Sequence, residues 1–363
     1  MVGHLLANTV QVDEPAELIR VVQELGLGDL NVAGLRSFLG RNVNWSGETL
    51  SGERIFAKQF VGHDAAGRFK RSVTAAAVLD AHVPTPRLLY QHAETRTLIF
   101  AVPDGAEQVE ELRGDLDQVR SDLVDCGRAL AAVHGTRPFD GLDTSRFHGP
   151  APSALRAVPV AAYQRLSAGQ LEAFRILHAD HTVADSVSSL LAREEAARRY
   201  FTPVHGDIRL DQFMTSNDRV VLIDFEEFRQ GDPARDLGAL VGSVLHSVIV
   251  SIPDRLRDQR PIGAEVSDAD IQSAGGADLE RAAAVIRKIW AAYRQHRGSA
   301  ADDAELAARA TAFGGWHMFD RMLASAETAT SLSPSVLAAA GIGRMLLMEP
   351  DVHADTIGLG GIQ

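Results

Sequence analysis

Hydrophobic and polar positions change period along the chain, from an alternating first third to a helical remainder. Asp13 to Leu25 carries Leu18, Val21, Val22 and Leu25 at helical spacing, with Asp13 placed to cap the first turn and Gly26–Gly28 to end it. Leu35–Leu39, Glu48–Leu50 and Arg54–Phe60 then read as strands, the last two joined by a turn at Ser51-Gly52. Gly40-Arg41-Asn42-Val43-Asn44-Trp45-Ser46-Gly47 reads as the loop of a hairpin. Asp64–His82 reads as a helix, broken by Val83-Pro84-Thr85-Pro86. Arg87–Tyr90 and Thr97–Val102 read as two further strands. Beyond them helical periodicity dominates. Leu116–His134 is amphipathic through Leu116, Val119, Leu123, Leu130 and Val133 and stops at Gly135. Thr136–Pro159 reads as a long loop and Ala161–Tyr200 as two or three helical segments. Asp236–Ile252 reads as a buried helix and Pro253–Gly276 as a mobile insertion. Ala277–His296, Ala301–Ser325 and Pro334–Met348 read as helices, and Asp351–Gln363 as a tail. No repeat of solenoid period is visible.

The pattern divides the chain into a β-rich lobe, residues 1–103, and a helical lobe, residues 104–363. With 363 residues, 45% of them hydrophobic and 23% charged, the chain is long enough for two sizeable cores and is not disordered. Its net charge of −12 argues against a nucleic-acid or anionic-membrane partner, since both need a basic face. One cysteine, Cys126, excludes an internal disulfide and fits a reducing cytoplasm. It falls within an apolar helical repeat and reads as core. The N-terminal run shows no basic segment followed by an apolar one, so no signal peptide is expected. Leu237–Ile252, about 16 residues, is shorter than the ~20 that a membrane span needs and is interrupted by Ser243, His246 and Ser247.

Candidate chemistry concentrates between Val204 and Gly238. Short apolar strands at Thr202–Val204 and Arg219–Ile223 flank His205-Gly206-Asp207, then Gln212, and lead to Asp224. Strand ends and tight loops can bring such groups together. Two carboxylates and an amide oxygen are hard donors of the kind Mg²⁺ takes in small number, leaving its other positions to water and phosphate. One Asp can instead accept a proton from an attacking hydroxyl, the division of labour in phosphoryl transfer. Arg209, read alone, forms a surface ion pair with Asp211 or Glu227. Lys58, in Ile55-Phe56-Ala57-Lys58, is costly on a buried strand face unless paired. His178 and His181 are spaced as metal ligands could be, but lack a third ligand and read as a solvated face.

His-Gly-Asp, the spaced acid of Ile223-Asp224-Phe225-Glu226 and the run Asp232-Pro233-Ala234-Arg235-Asp236-Leu237-Gly238 occur in order within about 35 residues. Together they resemble the catalytic core of the aminoglycoside phosphotransferase and choline kinase-like families, relatives of protein kinases. The resemblance implies a two-lobed α+β kinase-like fold with the nucleotide in the cleft, and Mg²⁺·ATP-dependent transfer of the γ-phosphoryl to a hydroxyl. It implies Asp207 as catalytic base, Arg209 at the transferred phosphate where its guanidinium neutralises developing charge, and Asp224 and Gln212 as metal ligands. Gln212 stands where the family has Asn, which lengthens the amide arm by one methylene. His205 and Asp236 are implied to support the catalytic loop. Lys58, Asn42 and Asn44 are implied to lie at the nucleotide phosphates, and Val102, entering Pro103-Asp104-Gly105, at the adenine. A further departure concerns Lys58: kinase-like enzymes pair this lysine with a helix Glu, yet Arg68–Ala81 holds only Asp80, near its end. Glu226 stands where protein kinases carry Gly.

Three runs, G-R-N-V-N-W-S-G, H-G-D-I-R-L-D-Q-F and D-F-E-E-F-R-Q-G-D-P-A-R-D, are similar to the kinase-like subunits of class V lanthipeptide and thioamitide pathways. That similarity implies a precursor peptide whose Ser or Thr is phosphorylated, and a lyase-like partner protein that eliminates the phosphate. The rival acceptor is a small molecule, as for an antibiotic kinase of aminoglycoside type. A catalytically silent scaffold for a partner enzyme is a third reading. Both acceptors present a hydroxyl to Asp207, so the catalytic residues do not separate them.

Overall fold

Alternation along Arg54–Gln59 sets up the first of two units. The computed structural model describes residues 9–10, 16–38, 41–79, 83–109, 120–147, 149–217, 219–258, 267–298 and 303–360. One unit comprises Met1–Gln108, Gly141–Asp143 and Asp211–Phe228; the other comprises Val109–Asp140, Thr144–Leu210 and Arg229–Gln363. The motif-bearing stretch is thus divided between them, with His205-Gly206-Asp207 in the second unit and Gln212 and Asp224 in the first.

In chain order the first unit contributes β1 (Thr9–Val10), α1 (Ala16–Glu24), β2 (Arg36–Phe38), β3 (Val43–Glu48), β4 (Arg54–Gln59), α2 (Ala65–Leu79), β5 (Leu88–His92), β6 (Thr97–Ala101) and β7 (Glu107–Gln108). Six of these strands form one antiparallel sheet in the order β1-β2-β3-β4-β6-β5. Successive side chains of β4 face opposite ways. Ile55 and Ala57 join Leu18, Val21 and Val22 of α1 and Ile99 of β6 in one buried cluster. Lys58 faces the other way, in register with Asn44 and Leu98. On that side Phe60 and Leu98 pack with Ala65 of α2. Helices therefore cover both faces, and the lysine is on the α2 side.

The expected loop at Gly40–Gly47 is instead mostly strand. β3 starts at Val43 and pairs with β2 on one side and β4 on the other. Trp45 packs onto the α1 cluster, and two-sided pairing overrides the weak strand propensity of Asn and Gly. The expected strand at Glu48–Leu50 is only the end of β3, followed by an isolated bridge from Thr49 to Leu30. Asp13, Leu39, Gly40, Asp80 and Leu116, which bound several expected elements, lie outside the described residues.

The second unit follows with α3 (Arg120–Gly135), α4 (Val160–Tyr163), α5 (Ala168–Ala179), α6 (His181–Ala196) and β8 (Thr202–Val204). The chain then supplies the hairpin β9 (Phe213–Ser216) and β10 (Arg219–Leu222) to the first unit, where β9 also pairs with β7. It returns through β11 (Arg229–Gly231), α7 (Pro233–Asp258), α8 (Asp268–Arg297), α9 (Asp303–Ala326), α10 (Pro334–Met348) and α11 (Pro350–Thr356). β9 and β11 are too short to carry a readable alternation.

Helix α7 is long and apolar enough to cross a bilayer, but 67% of its most apolar window is buried within the protein, as for a core helix. It crosses α9 at very short range. A Cβ on Gly242 would lie 2.8 Å from the Gly314 carbonyl oxygen, and one on Gly238 would lie 2.5 Å from that of Ala310. Neither position admits a larger residue without moving a helix.

Two expectations for this unit are corrected. Pro253–Gly276 is not an insertion where described: α7 continues through Pro253 to Asp258, and α8 begins at Asp268. Pro253 forfeits one backbone bond. Buried Ile252 and the ion pair of Arg255 with Asp278 hold the last turns to α8. Nor is the described part of Asp351–Gln363 a tail. Pro350 starts α11, and Ile357 and Leu359 beyond it are buried.

Candidate active site

In the second unit, a two-stranded ribbon delivers the His-Gly-Asp turn. β8 and β11 pair antiparallel, Val204 opposite Arg229, so the chain enters His205 beside the segment that leads into α7. Pro233 opens that helix, a position where the missing N–H costs nothing. Asp236, in its first turn, reaches back to the loop. Its two oxygens accept the backbone N–H of His205 at 2.6 Å and of Gly206 at 2.8 Å. His134 Nε2 donates to Asp236 at 3.1 Å, and His134 Nδ1 is 2.8 Å from the Tyr293 hydroxyl. Asp236 is buried. Burial acts to raise its pKa, but the hydrogen bond and charge from His134, the charge of His205 and the Gly206 N–H outweigh it and hold the carboxyl below its ordinary value. Gly206 has φ +86°, the left-handed region that a side chain disfavours.

This clamp presents Asp207 with its side chain about half exposed (46%). Arg209 Nη1 donates to Asp207 Oδ2 at 3.0 Å, a carboxylate other than the two expected from the sequence. Arg209 also acts electrostatically on His317 of α9, together with Arg321 and His246. His317 hydrogen-bonds Ser243 at 2.9 Å, and burial, reinforced by those three neighbours, pushes its pKa well below that of a free imidazole.

In the first unit, the β9–β10 hairpin brings Gln212 and Asp224 together. Leu222 pairs with Phe213, and the Ile223 N–H donates to the Gln212 carbonyl at 2.9 Å, so Asp224 leaves the hairpin next to Gln212. Asp224 has φ 66° and ψ 58°, a left-handed conformation that aspartate tolerates better than most residues. A single tight helical turn, Phe225–Glu227, follows.

Lys58 meets this turn. Its ammonium hydrogen-bonds Asp224 Oδ1 and lies 2.8 Å from Glu226 Oε2. Asn42 Nδ2 donates to the same Glu226 oxygen at 2.7 Å, while Asn42 Oδ1 accepts from Arg68 Nη1. Arg68 Nη2 donates to the carbonyls of Val61, at 2.6 Å, and His63, at 3.1 Å. One turn further along α2, Arg71 Nε donates to the Glu226 carbonyl at 2.7 Å, and Arg71 pairs with Asp64 and Asp143. The Lys58 partner left unassigned by the sequence is therefore a pair of acids from the turn, and α2 offers arginines instead.

The sequence-proposed residues separate cleanly. Lys58, Asn42, Asn44, Gln212, Asp224 and Val102 belong to the first unit, and Asp207, Arg209, His205 and Asp236 to the second. Asn44 Oδ1 is buried with no hydrogen-bond partner, across the sheet from Lys58. Val102 donates its N–H to the Arg54 carbonyl at 2.9 Å. His134, Tyr293, Arg68 and Arg71 carried no signal in the sequence, because each acts through a partner far along the chain. Among the described residues no cluster of three or more His, Cys, Asp or Glu side chains is placed to hold a metal. Oxygen donors fewer than that fit Mg²⁺, which keeps water and phosphate oxygens as ligands.

A sheet-and-helix unit carrying a buried lysine–acid pair, and a helical unit carrying a clamped His-Gly-Asp turn, define a kinase-like phosphotransferase. The phosphotransferase enzyme family profile matches residues 41–285, and the chain belongs to that family. Its fold is shared with a spectinomycin phosphotransferase solved with ADP and spectinomycin, at 13% identity, TM-score 0.52, and 94% and 99% of the two chains covered. It is shared too with an aminoglycoside phosphotransferase from Alicyclobacillus acidocaldarius, at 14% identity, TM-score 0.51, covering 97% and 98%. No curated protein sequence matches.

Proposed function

We propose that this phosphotransferase moves the γ-phosphoryl of Mg²⁺·ATP to the hydroxyl of a Ser or Thr in a ribosomally made precursor peptide, in a lanthipeptide-type pathway. The observation that carries the reaction class is the pairing of Lys58 with Asp224 and Glu226 on a buried sheet face. An ammonium and carboxylates of this kind, one of them about a third exposed, suit a polyphosphate and its cation. Asp224 and the Gln212 amide would hold Mg²⁺, whose charge offsets that of the phosphates. Lys58 binds phosphate oxygens. Asn44, whose buried Oδ1 lacks a partner, lies beside Lys58 on the same sheet face and completes the phosphate contacts. Val102 leads into the segment that meets the adenine.

Asp207 accepts the proton of the acceptor hydroxyl as its oxygen attacks the γ-phosphorus, and ADP leaves. The Asp236 clamp fixes the backbone that carries Asp207, so little reorganisation is needed at the moment of transfer. Arg209, on Asp207 in this structure, offers a guanidinium to the charge on the transferred group. The peptide acceptor is supported by the three sequence runs quoted above. A lyase-like partner would then eliminate the phosphate to leave a dehydroamino acid. Incubating the protein with ATP, Mg²⁺ and either a genetically linked precursor peptide or an aminoglycoside separates the acceptors. Phosphate on the antibiotic and none on the peptide defeats the peptide reading.

A further inference from the structure

We infer that Glu226, from the turn after Asp224, is the positioning residue for Lys58, and that Asn42 and Arg68 in turn hold Glu226; this rests on Lys58 being the nucleotide-phosphate ligand. Lys58 is only 7% exposed, and a buried ammonium needs a partner that stays in place. Its two acids are not equivalent. The Asp224 side chain is 32% exposed, whereas that of Glu226 is 9% exposed. An exposed carboxylate that also serves a cation is free to give up the lysine. Glu226 is not free to move. Its Oε2 accepts from Asn42 as well as facing Lys58, Arg68 Nη1 lies 3.6 Å away, and its carbonyl is held by Arg71.

The bracing is closed upon itself. Arg68 is completely buried, fixed by two backbone carbonyls of the β4–α2 connection, and set over the Phe60 ring at 5.8 Å. Lys58 lies over the same ring at 5.3 Å. Helix α2 thus meets the lysine with a cation, and the required acid comes from the turn that carries Asp224. Lysine and metal-side acid are tied to one structural piece. Lys58 keeps its anchor on Glu226 when Asp224 and the phosphates change partners.

Calorimetric titration with Mg²⁺·ATP tests this without an acceptor. Lys58→Ala is expected to weaken binding by about 30-fold and Glu226→Gln by about ten-fold, the scale of one lost charge-assisted hydrogen bond. The double variant should bind like Lys58→Ala alone, because Glu226 acts only through the lysine. Asn42→Ala, a milder change should Glu226→Gln not fold, should weaken binding about three-fold by loosening one neutral donor, and lose that effect in the Lys58→Ala background. Losses that add in both backgrounds, or wild-type affinity in Glu226→Gln, overturn the assignment. Wild-type affinity in Lys58→Ala would instead strike the nucleotide reading of Lys58 itself.

Discussion

The two units hold their chemically important carboxylates by different means. In the helical unit the loop bearing Asp207 is fixed through its backbone, by one buried carboxylate that accepts two N–H groups and one imidazole. In the sheet unit Asp224 and Glu226 are held by long cationic side chains, Lys58, Arg68 and Arg71. The clamp on the loop is a buried side chain whose two oxygens are already engaged by two backbone N–H groups and an imidazole. In that network the more exposed Asp224 can exchange partners when a charged ligand enters, while Glu226 stays held by Asn42, Arg68 and Arg71. On the proposed assignment, the difference suits a base that must be preorganised and a phosphate site that must open for each nucleotide.

If that contrast is right, substitutions in the helical unit should act on transfer more than on nucleotide affinity. Asp207→Asn should lower single-turnover transfer by about 10²–10⁴-fold, the range for a general base, with Mg²⁺·ATP affinity within about two-fold of wild type. Near-normal transfer would remove the base assignment. Asp236→Asn should weaken the clamp itself. We expect a loss of about 3 kcal/mol in urea unfolding, since a buried charge with three hydrogen-bond partners is replaced by an amide. Transfer should fall with it, and an unchanged unfolding midpoint would show that the clamp contributes nothing.

The sheet unit should show the opposite pattern. Asp224→Ala should weaken Mg²⁺·ATP binding by about ten-fold or more, and Gln212→Ala by about three-fold, because a carboxylate is the stronger hard-oxygen donor. The reverse order in calorimetry would exchange their roles.

The smallest effect concerns His317, which separates packing from chemistry in the helical unit. Its folded pKa is depressed, so the unfolded chain takes up a proton that the folded protein refuses. Stability is full above the unfolded value near 6.5 and is lost as pH falls below it, by at most about 1.4 kcal/mol per pH unit. Ser243 hydrogen-bonds it, and Arg321, His246 and Arg209 disfavour its charged form electrostatically. His317→Gln should flatten the melting temperature between pH 7.5 and 5.5. A slope as steep as the wild type's would place the titration elsewhere.

Much of this arrangement is legible in the sequence where contacts are local. The strand over most of Arg54–Phe60 and the helix over most of Asp64–His82 follow from spacing and turn chemistry. The partner of Lys58 does not, because a search confined to the following helix cannot see an acid from a turn far along the chain. The stretch from Val43 to Gly47 misleads for a related reason. Its Gly and Asn content signals a loop, and only pairing with two neighbours makes it a strand. Pro253 misleads in the same direction, since its local penalty is offset by burial and by Asp278 on another helix.

Transfer of phosphate to a peptide hydroxyl is open to mass spectrometry of a genetically linked precursor peptide. After incubation with the protein, ATP and Mg²⁺, the peptide should carry added phosphate on Ser or Thr. The signal should vanish with Asp207→Asn and weaken when a remote leader segment is removed, because binding energy away from the reacting residue is what holds a flexible chain in place. An unmodified peptide, in a preparation that phosphorylates an aminoglycoside under the same conditions, would contradict the account.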